Sequence, residues 1–143
     1  MQPSSIGEIL GGKGVLGRQV ASLLDLNEAV ERGLPKITLR NVVRHIYTDA
    51  TDQRAMMHRI VPEATYKRRR DRLSHAESER TERLARVVAM AEHVWQDTEQ
   101  SRRFLLTPHP EIGGKTPLDA ALTELGARQA EEIMARILYG LPA

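Results

Sequence analysis

The sequence predicts an all-α protein made of short helices and one long helix. The long helix is predicted from residue 75 to about 96 because its apolar residues recur at intervals of three and four over several turns. These residues are Leu84, Val87, Val88, Ala91, Val94 and Trp95. Capping residues, prolines and glycines punctuate the rest of the chain at helical spacings. The 143 residues suffice for one compact unit or two small ones with a real core.

The first 24 residues are rich in Pro, Ser and Gly, and we expect a flexible N-terminal arm over residues 1–24. Several glycines surround Lys13, which suggests a phosphate-binding loop. Such a loop requires Ser or Thr directly after the Gly-Lys pair, and Gly14 follows Lys13 instead. Nucleotide binding is therefore not expected. The apolar residues of this stretch could pack onto the body of the protein or onto a partner.

Residues 25–72 are predicted to form four short helices. Asp25 and Glu28 suggest a capping box that opens the first helix, and Gly33 closes it. The second follows Pro35, the third is centred on two methionines, and the fourth covers residues 63–72. Short helices joined by tight turns are typical of a helix-turn-helix region.

The fourth of these helices carries the strongest nucleic-acid signal in the sequence. Its basic run could contact phosphates, with two polar residues adding contacts at its N-terminal end. The candidate residues are Thr65, Tyr66, Lys67, Arg68, Arg69 and Arg70. The alternative is a solvated charged face that acidic residues downstream partly neutralise.

The long helix should begin after Ser74, with Glu77 completing a capping box. Arg80, Arg83 and Arg86 share faces with nearby glutamates, and we expect surface ion pairs worth only tenths of a kcal/mol each. Asp97 starts the next helix, in which Phe104 and Leu105 should turn inward.

The last third of the chain, residues 107–143, has the pattern of a surface held by another protein. Pro108 and Pro110 enforce an extended loop, and Thr116 caps a short helix. Gly126 is predicted to break or bend the chain before an amphipathic helix, after which residues 139–143 form an apolar tail. The alternative is that this amphipathic helix only closes a helical core.

Composition excludes several functional classes. The chain has no cysteine, so disulfides, thiolate chemistry and zinc fingers are excluded. Aromatic residues make up 3% and the net charge is only +2, which argues against a stacking platform for single strands. No apolar run is long enough to span a membrane, and we expect a cytoplasmic protein. The five histidines lack metal-ligand spacing and no catalytic residues converge. We expect neither an enzyme, nor a metal site, nor a cofactor.

Three motifs in the second half resemble one known family. The stretch from Glu77 to Trp95 reads ESERTERLARVVAMAEHVW, the loop reads P-x-P-x-I-G-G-x-x-P-L, and the chain ends on R-I-x-Y-G and three further residues. Together they cover residues 73–143, which resemble the toxin-binding domain of Xre/MbcA/ParS antitoxins. Many members carry a Trp-Leu pair where this chain has Phe104-Leu105-Leu106.

The resemblance implies a degenerate Xre-like helix-turn-helix in residues 25–72 and a helical toxin-binding domain in residues 73–143. It implies an antitoxin that neutralises a RES-domain toxin, an enzyme that consumes NAD or transfers ADP-ribose, by inserting its C-terminal segment into the toxin's active site. The implied toxin-binding residues are Ile112, Gly113, Gly114, Arg136, Tyr139, Gly140, Leu141, Pro142 and Ala143. A homodimer within a heterotetramer, and repression of its own operon through operator DNA, are also implied. The alternative is a DNA-binding regulator whose C-terminal half only dimerises.

Overall fold

The computed structural model describes residues 2–140, and within them the chain forms ten α-helices and one 3₁₀ turn. The all-α prediction is confirmed. The elements in chain order are α1 (Pro3–Leu10), α2 (Lys13–Leu16), α3 (Leu23–Arg32), α4 (Ile37–Ile46), α5 (Ala50–Ile60), α6 (Glu63–Arg68), α7 (His75–Trp95), α8 (Thr98–Leu105), η1 (Pro110–Ile112), α9 (Pro117–Ala120) and α10 (Glu124–Leu138).

Helix α7 is the central element, and it begins as the sequence predicts. The Ser74 hydroxyl accepts from the Glu77 amide at 3.2 Å, and the Glu77 carboxylate accepts from the Ser74 amide at 2.8 Å. This reciprocal capping box satisfies two amides that the first turn leaves without partners. Leu84, Val87 and Val88 are fully buried. Helices α1, α3, α4, α8 and α10 all pack against α7, which therefore lies in the core of both halves of the chain.

Residues 2–24 differ from the flexible arm that we expected over residues 1–24. Helix α1 packs against α4 and α7, and Ile6, Ile9 and Leu10 are buried. The Asn41 side chain donates to the Leu10 carbonyl at 2.9 Å, which ties the end of α1 to α4. These three residues share one helical face, and burying that face outweighs the Gly and Pro content that suggested an arm.

Two boundaries in the following region also differ from expectation. The N-cap of α3 is Ser22, whose hydroxyl accepts from the Asp25 amide at 3.1 Å, so the helix begins two residues before Asp25. Helix α6 ends at Arg68 rather than at residue 72. The chain after it runs beside residues 34–36, where Leu73 donates to the Leu34 carbonyl at 2.8 Å. These backbone hydrogen bonds are incompatible with a continued helix.

Gly126 lies inside α10 and does not break the chain. Thr123 is the N-cap of α10, and its hydroxyl accepts from the Gly126 amide at 3.0 Å. A Cβ on Gly126 would lie 2.0 Å from the Ala120 carbonyl oxygen. The missing side chain thus allows the end of α9 to approach the first turn of α10, which Gly permits without cost to packing.

The arginines of α7 reach across to α10 and do not pair mainly along their own helix. Arg83 lies 3.0 Å from the Glu124 carboxylate, and Arg86 lies 2.7 Å from that of Glu131. The pair expected within the helix, between Arg86 and Glu82, is longer at 3.6 Å. Burial is the main effect on the Glu82 carboxyl and raises its pKa, while Arg86 opposes it. These ion pairs fix α10 against α7.

Candidate protein-binding and DNA-binding surfaces

The loop between α8 and α9 is closed by its own hydrogen bonds. The His109 amide donates to the Lys115 carbonyl at 3.0 Å, and the His109 ring accepts from the Glu111 amide at 3.2 Å. Gly113 and Gly114 both have positive φ, at 66° and 77°, a conformation that favours glycine. Both glycines are exposed. The predicted Gly-Gly turn is therefore a preformed, accessible surface loop.

Ile112 anchors this loop and does not face outward. It is 5% exposed and packs in a small apolar cluster with Ala120 and Ile133. Phe104 and Ile137 border the same cluster. Of the residues proposed to contact a toxin, Ile112 therefore supports the surface from beneath. Hydrophobic spacing in a loop does not reveal this, because the cluster is formed by residues far apart in the sequence.

Arg136 joins the loop to α10. Its Nη2 lies 2.8 and 2.9 Å from the two carboxylate oxygens of Glu111. Its Nε is buried and has no hydrogen-bond partner within residues 2–140. The guanidinium side chain is 31% exposed, so it is partly available while it holds η1 against the helix.

The end of α10 is another exposed part of the predicted binding surface. The Tyr139 amide donates to the Ala135 carbonyl at 3.0 Å, while the residue is 74% exposed. Gly140 follows with a φ of 71°. Leu141, Pro142 and Ala143, which complete the predicted toxin-binding set, lie outside the described residues.

An exposed leucine that was not among the predicted toxin-binding residues adds to this surface. Leu125, in the first turn of α10, is 71% exposed. It precedes Tyr139, the C-cap of α10, by 14 residues, close to four helical turns, so the two lie toward the same side of α10 but at its opposite ends. Its spacing from Leu118 and Leu122 would place all three leucines on one face if a single helix ran through them. The restart of the helix at Thr123 turns it outward instead.

Helices α4 and α5 have the arrangement of a helix-turn-helix. Only Tyr47, Thr48 and Asp49 separate them, and Asp49 caps α5 by accepting from the Asp52 amide at 3.2 Å. A turn of three or four residues is typical of this motif. Arg59 in α5 lies 2.6 Å from Asp119 in α9, so this helix also contacts the C-terminal half.

Two of the six predicted DNA-binding residues, Tyr66 and Arg69, contact other elements of the protein. Arg69 donates two hydrogen bonds to Glu77, at 2.9 and 2.8 Å, and this contact is the main reason that the pKa of Glu77 falls to about 2. The Tyr66 hydroxyl donates to the Lys36 carbonyl at 3.1 Å, and the Lys36 ammonium lies 4.5 Å from the centre of the tyrosine ring.

The other members of the run remain on the surface. The Thr65 hydroxyl accepts from Arg68 at 3.2 Å, and Lys67 lies 3.1 Å from Glu63 one turn earlier. Lys67, Arg68 and Arg70 are exposed. Sequence reasoning could not separate these residues from Arg69, because the partner of Arg69 depends on how α6 meets α7.

The histidines do not converge on a site. His45 lies 2.8 Å from Glu92, His58 lies 3.1 Å from the Val61 carbonyl, and His75 lies 3.1 Å from Glu79. Across the described chain, no three His, Cys, Asp or Glu side chains are grouped to hold a metal ion. No helix among residues 2–140 is both long and apolar enough to cross a membrane.

Two family models match the chain in succession. Residues 25–86 match the antitoxin Xre-like helix-turn-helix domain, and residues 90–140 match the antitoxin Xre/MbcA/ParS C-terminal toxin-binding domain. Both are antitoxin domains rather than enzyme families. The two matches meet inside α7, which explains why this helix contributes to the packing of both halves.

A curated relative is also named as an antitoxin. The chain is 33% identical over 110 residues to a protein named Antitoxin Xre from Pseudomonas putida (strain KT2440). The aligned region covers 75% of this chain and 64% of that relative. The chain therefore spans less than two thirds of the length of the relative it matches.

Proposed function

The chain belongs to the Xre/MbcA/ParS family of antitoxins, and from this membership we propose that it binds and neutralises a partner toxin. The toxin-binding role falls to the C-terminal domain, residues 90–140, which matches the toxin-binding family model. The partner that we propose is a RES-domain toxin, an enzyme that consumes NAD or transfers ADP-ribose. Both proteins would act in the cytoplasm.

The observation that carries the proposal is the exposure of Tyr139. A tyrosine residue that is 74% exposed at a helix end leaves a large apolar ring in water. Tyrosine is enriched at protein interfaces because its ring contributes apolar area and its hydroxyl a hydrogen bond. Leu125, 71% exposed near the same helix face, extends the apolar contact that a partner would bury.

We assign the loop and α10 different roles in this interface. Gly113 and Gly114 offer exposed backbone that a partner can approach closely. Arg136 positions the loop through Glu111, and Ile112 anchors it from the core side. Residues 139–143 would then enter the toxin's NAD cleft and block it. Tyr139 is the first residue of this inserted segment.

Co-expression with the RES-domain toxin encoded beside the gene tests this proposal. Growth and co-purification are compared for the full chain and for a chain ending at Ile137. We expect the full chain to bind and to restore growth, and the shortened chain to bind without restoring growth. Equal rescue by both chains would show that residues 138–143 do not block the toxin. Absence of binding by the full chain would remove the toxin proposal itself.

A second function, operator binding, is favoured by the helix-turn-helix match at residues 25–86. The three-residue turn between α4 and α5 and the exposed Lys67, Arg68 and Arg70 support it. We propose that the chain represses its own operon as a homodimer that carries one toxin per subunit. Tyr66 and Arg69 would shape this surface, because their side chains are hydrogen-bonded to other elements of the protein, and Thr65 would orient Arg68 by accepting its hydrogen bond.

One variant distinguishes the antitoxin hypothesis from the hypothesis of a DNA-binding regulator. In a regulator whose C-terminal half only dimerises, Tyr139→Ala should change neither growth rescue nor operator affinity. In an antitoxin, the same variant should lose growth rescue while operator affinity stays constant. Leu24→Ala is the matched control, because Leu24 is also exposed, at 65%, but lies on α3.

A further inference from the structure

Three arginines of the helix-turn-helix region take no part in the surfaces described so far. Arg40 and Arg44 lie one turn apart on α4, and Arg54 lies on α5. All three are exposed, and all three line a single open cavity of about 240 Å³ between the two helices. Gln53 lines the same cavity.

These arginines form no ion pair within residues 2–140. None of their guanidinium groups lies within 4.0 Å of a carboxylate, although Arg18, Arg59, Arg69, Arg83, Arg86 and Arg136 all do. In the described chain, the hydrogen bond that Arg102 makes to Arg44 goes to the backbone carbonyl, at 3.2 Å, and not to the guanidinium group. Like charges gathered around one cavity repel each other, and a bound anion would relieve that repulsion.

The acidic residues of α5 lie on a different face from the cavity. Ala50, Gln53, Arg54 and Met57 line it, and the spacing of these positions defines a single helical stripe. Asp52 falls off this stripe and lies on the side of Tyr47. There it adds to the burial and the Asp119 charge that raise the pKa of the Tyr47 phenol.

The carboxylate of Glu63 lies near Arg54, and it is already paired with Lys67. Glu63 is within reach of the Arg54 charge, but Lys67 lies 3.1 Å from its oxygen and is the main cause of its lowered pKa. Arg40 in turn lies near Tyr66, where its charge opposes the rise in phenol pKa that burial causes. The arginine cavity therefore adjoins α6 and its exposed basic residues.

We infer that Arg40, Arg44 and Arg54 form a phosphate-binding site that holds the backbone of duplex DNA along the groove between α4 and α5. The inference rests on the proposed operator binding and gives it a location. Guanidinium groups bind phosphate through paired N–H donors, which favours arginine at such a site.

The positions of two acidic residues limit how DNA can approach this site. Asp49 and Asp52 are exposed at the N-terminal end of α5, where their carboxylates repel phosphates. The backbone therefore lies along the sides of α4 and α5 rather than across the tip of α5. The basic run of α6 is then at the border of the contact and not at its centre.

The test is a fluorescence-anisotropy titration of the full chain with a labelled duplex from upstream of its own gene. A scrambled duplex of equal length is titrated in parallel. Each titration is repeated across a range of salt concentrations, because each phosphate contact lowers the logarithmic salt slope by about 0.9. Three variants with equal charge change are compared: Arg40→Gln/Arg44→Gln/Arg54→Gln, Lys67→Gln/Arg68→Gln/Arg70→Gln, and Arg32→Gln/Arg103→Gln/Arg128→Gln.

The last variant is the control. Arg32, Arg103 and Arg128 are exposed, and their side chains form no ion pair within the described residues. The cavity variant is Arg40→Gln/Arg44→Gln/Arg54→Gln. For both duplexes, we expect the slope of its log affinity against log salt concentration to be smaller in magnitude by roughly 2.7, and its affinity to fall on the order of 100-fold. The control should change affinity by no more than about threefold, the effect of net charge alone. Circular dichroism checks that all three variants keep their helices.

Two outcomes overturn the inference, and they are distinguishable. If the unmodified chain binds neither duplex, the proposed operator binding fails and this site fails with it. If the unmodified chain binds and the cavity variant retains its salt slope, operator binding stands and the site is misplaced. A large loss in the α6 variant alone would then place the contact on Lys67, Arg68 and Arg70.

Discussion

Arg69 and Glu77 form a closed ion pair that connects the end of α6 to the first turn of α7. Two guanidinium nitrogens of Arg69 lie 2.9 and 2.8 Å from the two oxygens of Glu77. One of those oxygens also accepts from the Ser74 amide, so the carboxylate serves both the ion pair and the helix cap. Glu77 is only 4% exposed, and a paired, hydrogen-bonded charge of this kind is costly to disrupt.

The shifted pKa of Glu77 predicts a loss of stability in acid. Its pKa falls from 4.5 to about 2, first because of Arg69 and then because of the Ser74 cap. A carboxyl group with a lowered pKa in the folded state contributes stability above its unfolded pKa of about 4.5. That contribution is lost as the pH falls from about 4.5 toward 2. Thermal unfolding across this range, followed by circular dichroism, measures it.

Glu77→Gln should remove the pH-dependent contribution of this residue to the free energy of unfolding. At neutral pH the variant should be destabilised by about 1 to 3 kcal/mol, because Arg69 loses its charged partner. Its melting temperature should vary less between pH 5 and pH 2 than that of the unmodified chain. Glu79→Gln is the control, since Glu79 is exposed and should show neither effect. An unchanged acid profile in Glu77→Gln would contradict this assignment.

Gly126→Ala should destabilise the C-terminal domain. A Cβ there would lie 2.0 Å from the Ala120 carbonyl oxygen and 2.8 Å from the Thr123 hydroxyl, so α9 would have to move. We expect a cost of about 2 kcal/mol or more, measured by urea unfolding. Gly14→Ala is the matched control, because nothing lies within 4 Å of the added methyl group. Alanine should be neutral or mildly stabilising there.

Substitutions at Ile112 and Tyr139 should distinguish an effect on folding from an effect on toxin binding. Ile112→Ala should destabilise the chain by about 2 to 4 kcal/mol, because it opens a cavity beneath the loop. Tyr139→Ala should change stability by less than about 0.5 kcal/mol, because the side chain is mostly in water. Melting temperatures measure both changes in stability, and growth rescue in co-expression measures the loss of toxin neutralisation that Tyr139→Ala should cause. A strongly destabilised Tyr139→Ala would show that the ring packs within the chain.

The contact between Arg86 and Glu131 should show energetic coupling. Arg86→Gln and Glu131→Gln are compared singly and together in a double-mutant cycle. Arg86 also lies near Glu82 and Glu124, so removing it leaves several carboxylates facing each other. We expect a coupling energy of about 1 kcal/mol, above that of an exposed pair, from chemical denaturation. The exposed Arg128→Gln should change the free energy of unfolding by less than about 0.5 kcal/mol. Additivity of the two substitutions would contradict a direct contact.

The sequence alone determined the helical class and the best-marked helices. The 3,4 spacing of α7, the Ser74–Glu77 cap and the Thr116 cap are local signals, since each involves residues within one or a few turns. The structure shows all three. The C-terminal motifs also led to the antitoxin family, because the residues that carry the resemblance are close together in the chain.

Tertiary structure alone decided which of these residues face water. The early segment became α1 because the face of Ile6, Ile9 and Leu10 finds α4 and α7 to cover it. Arg69 is engaged within the protein because Glu77 lies opposite it. Arg40, Arg44 and Arg54 form no ion pair because no carboxylate of the described chain lies within 4.0 Å of them. Such pairings join residues from different helices. Helical periodicity determines which residues share a face, but only packing determines what that face meets.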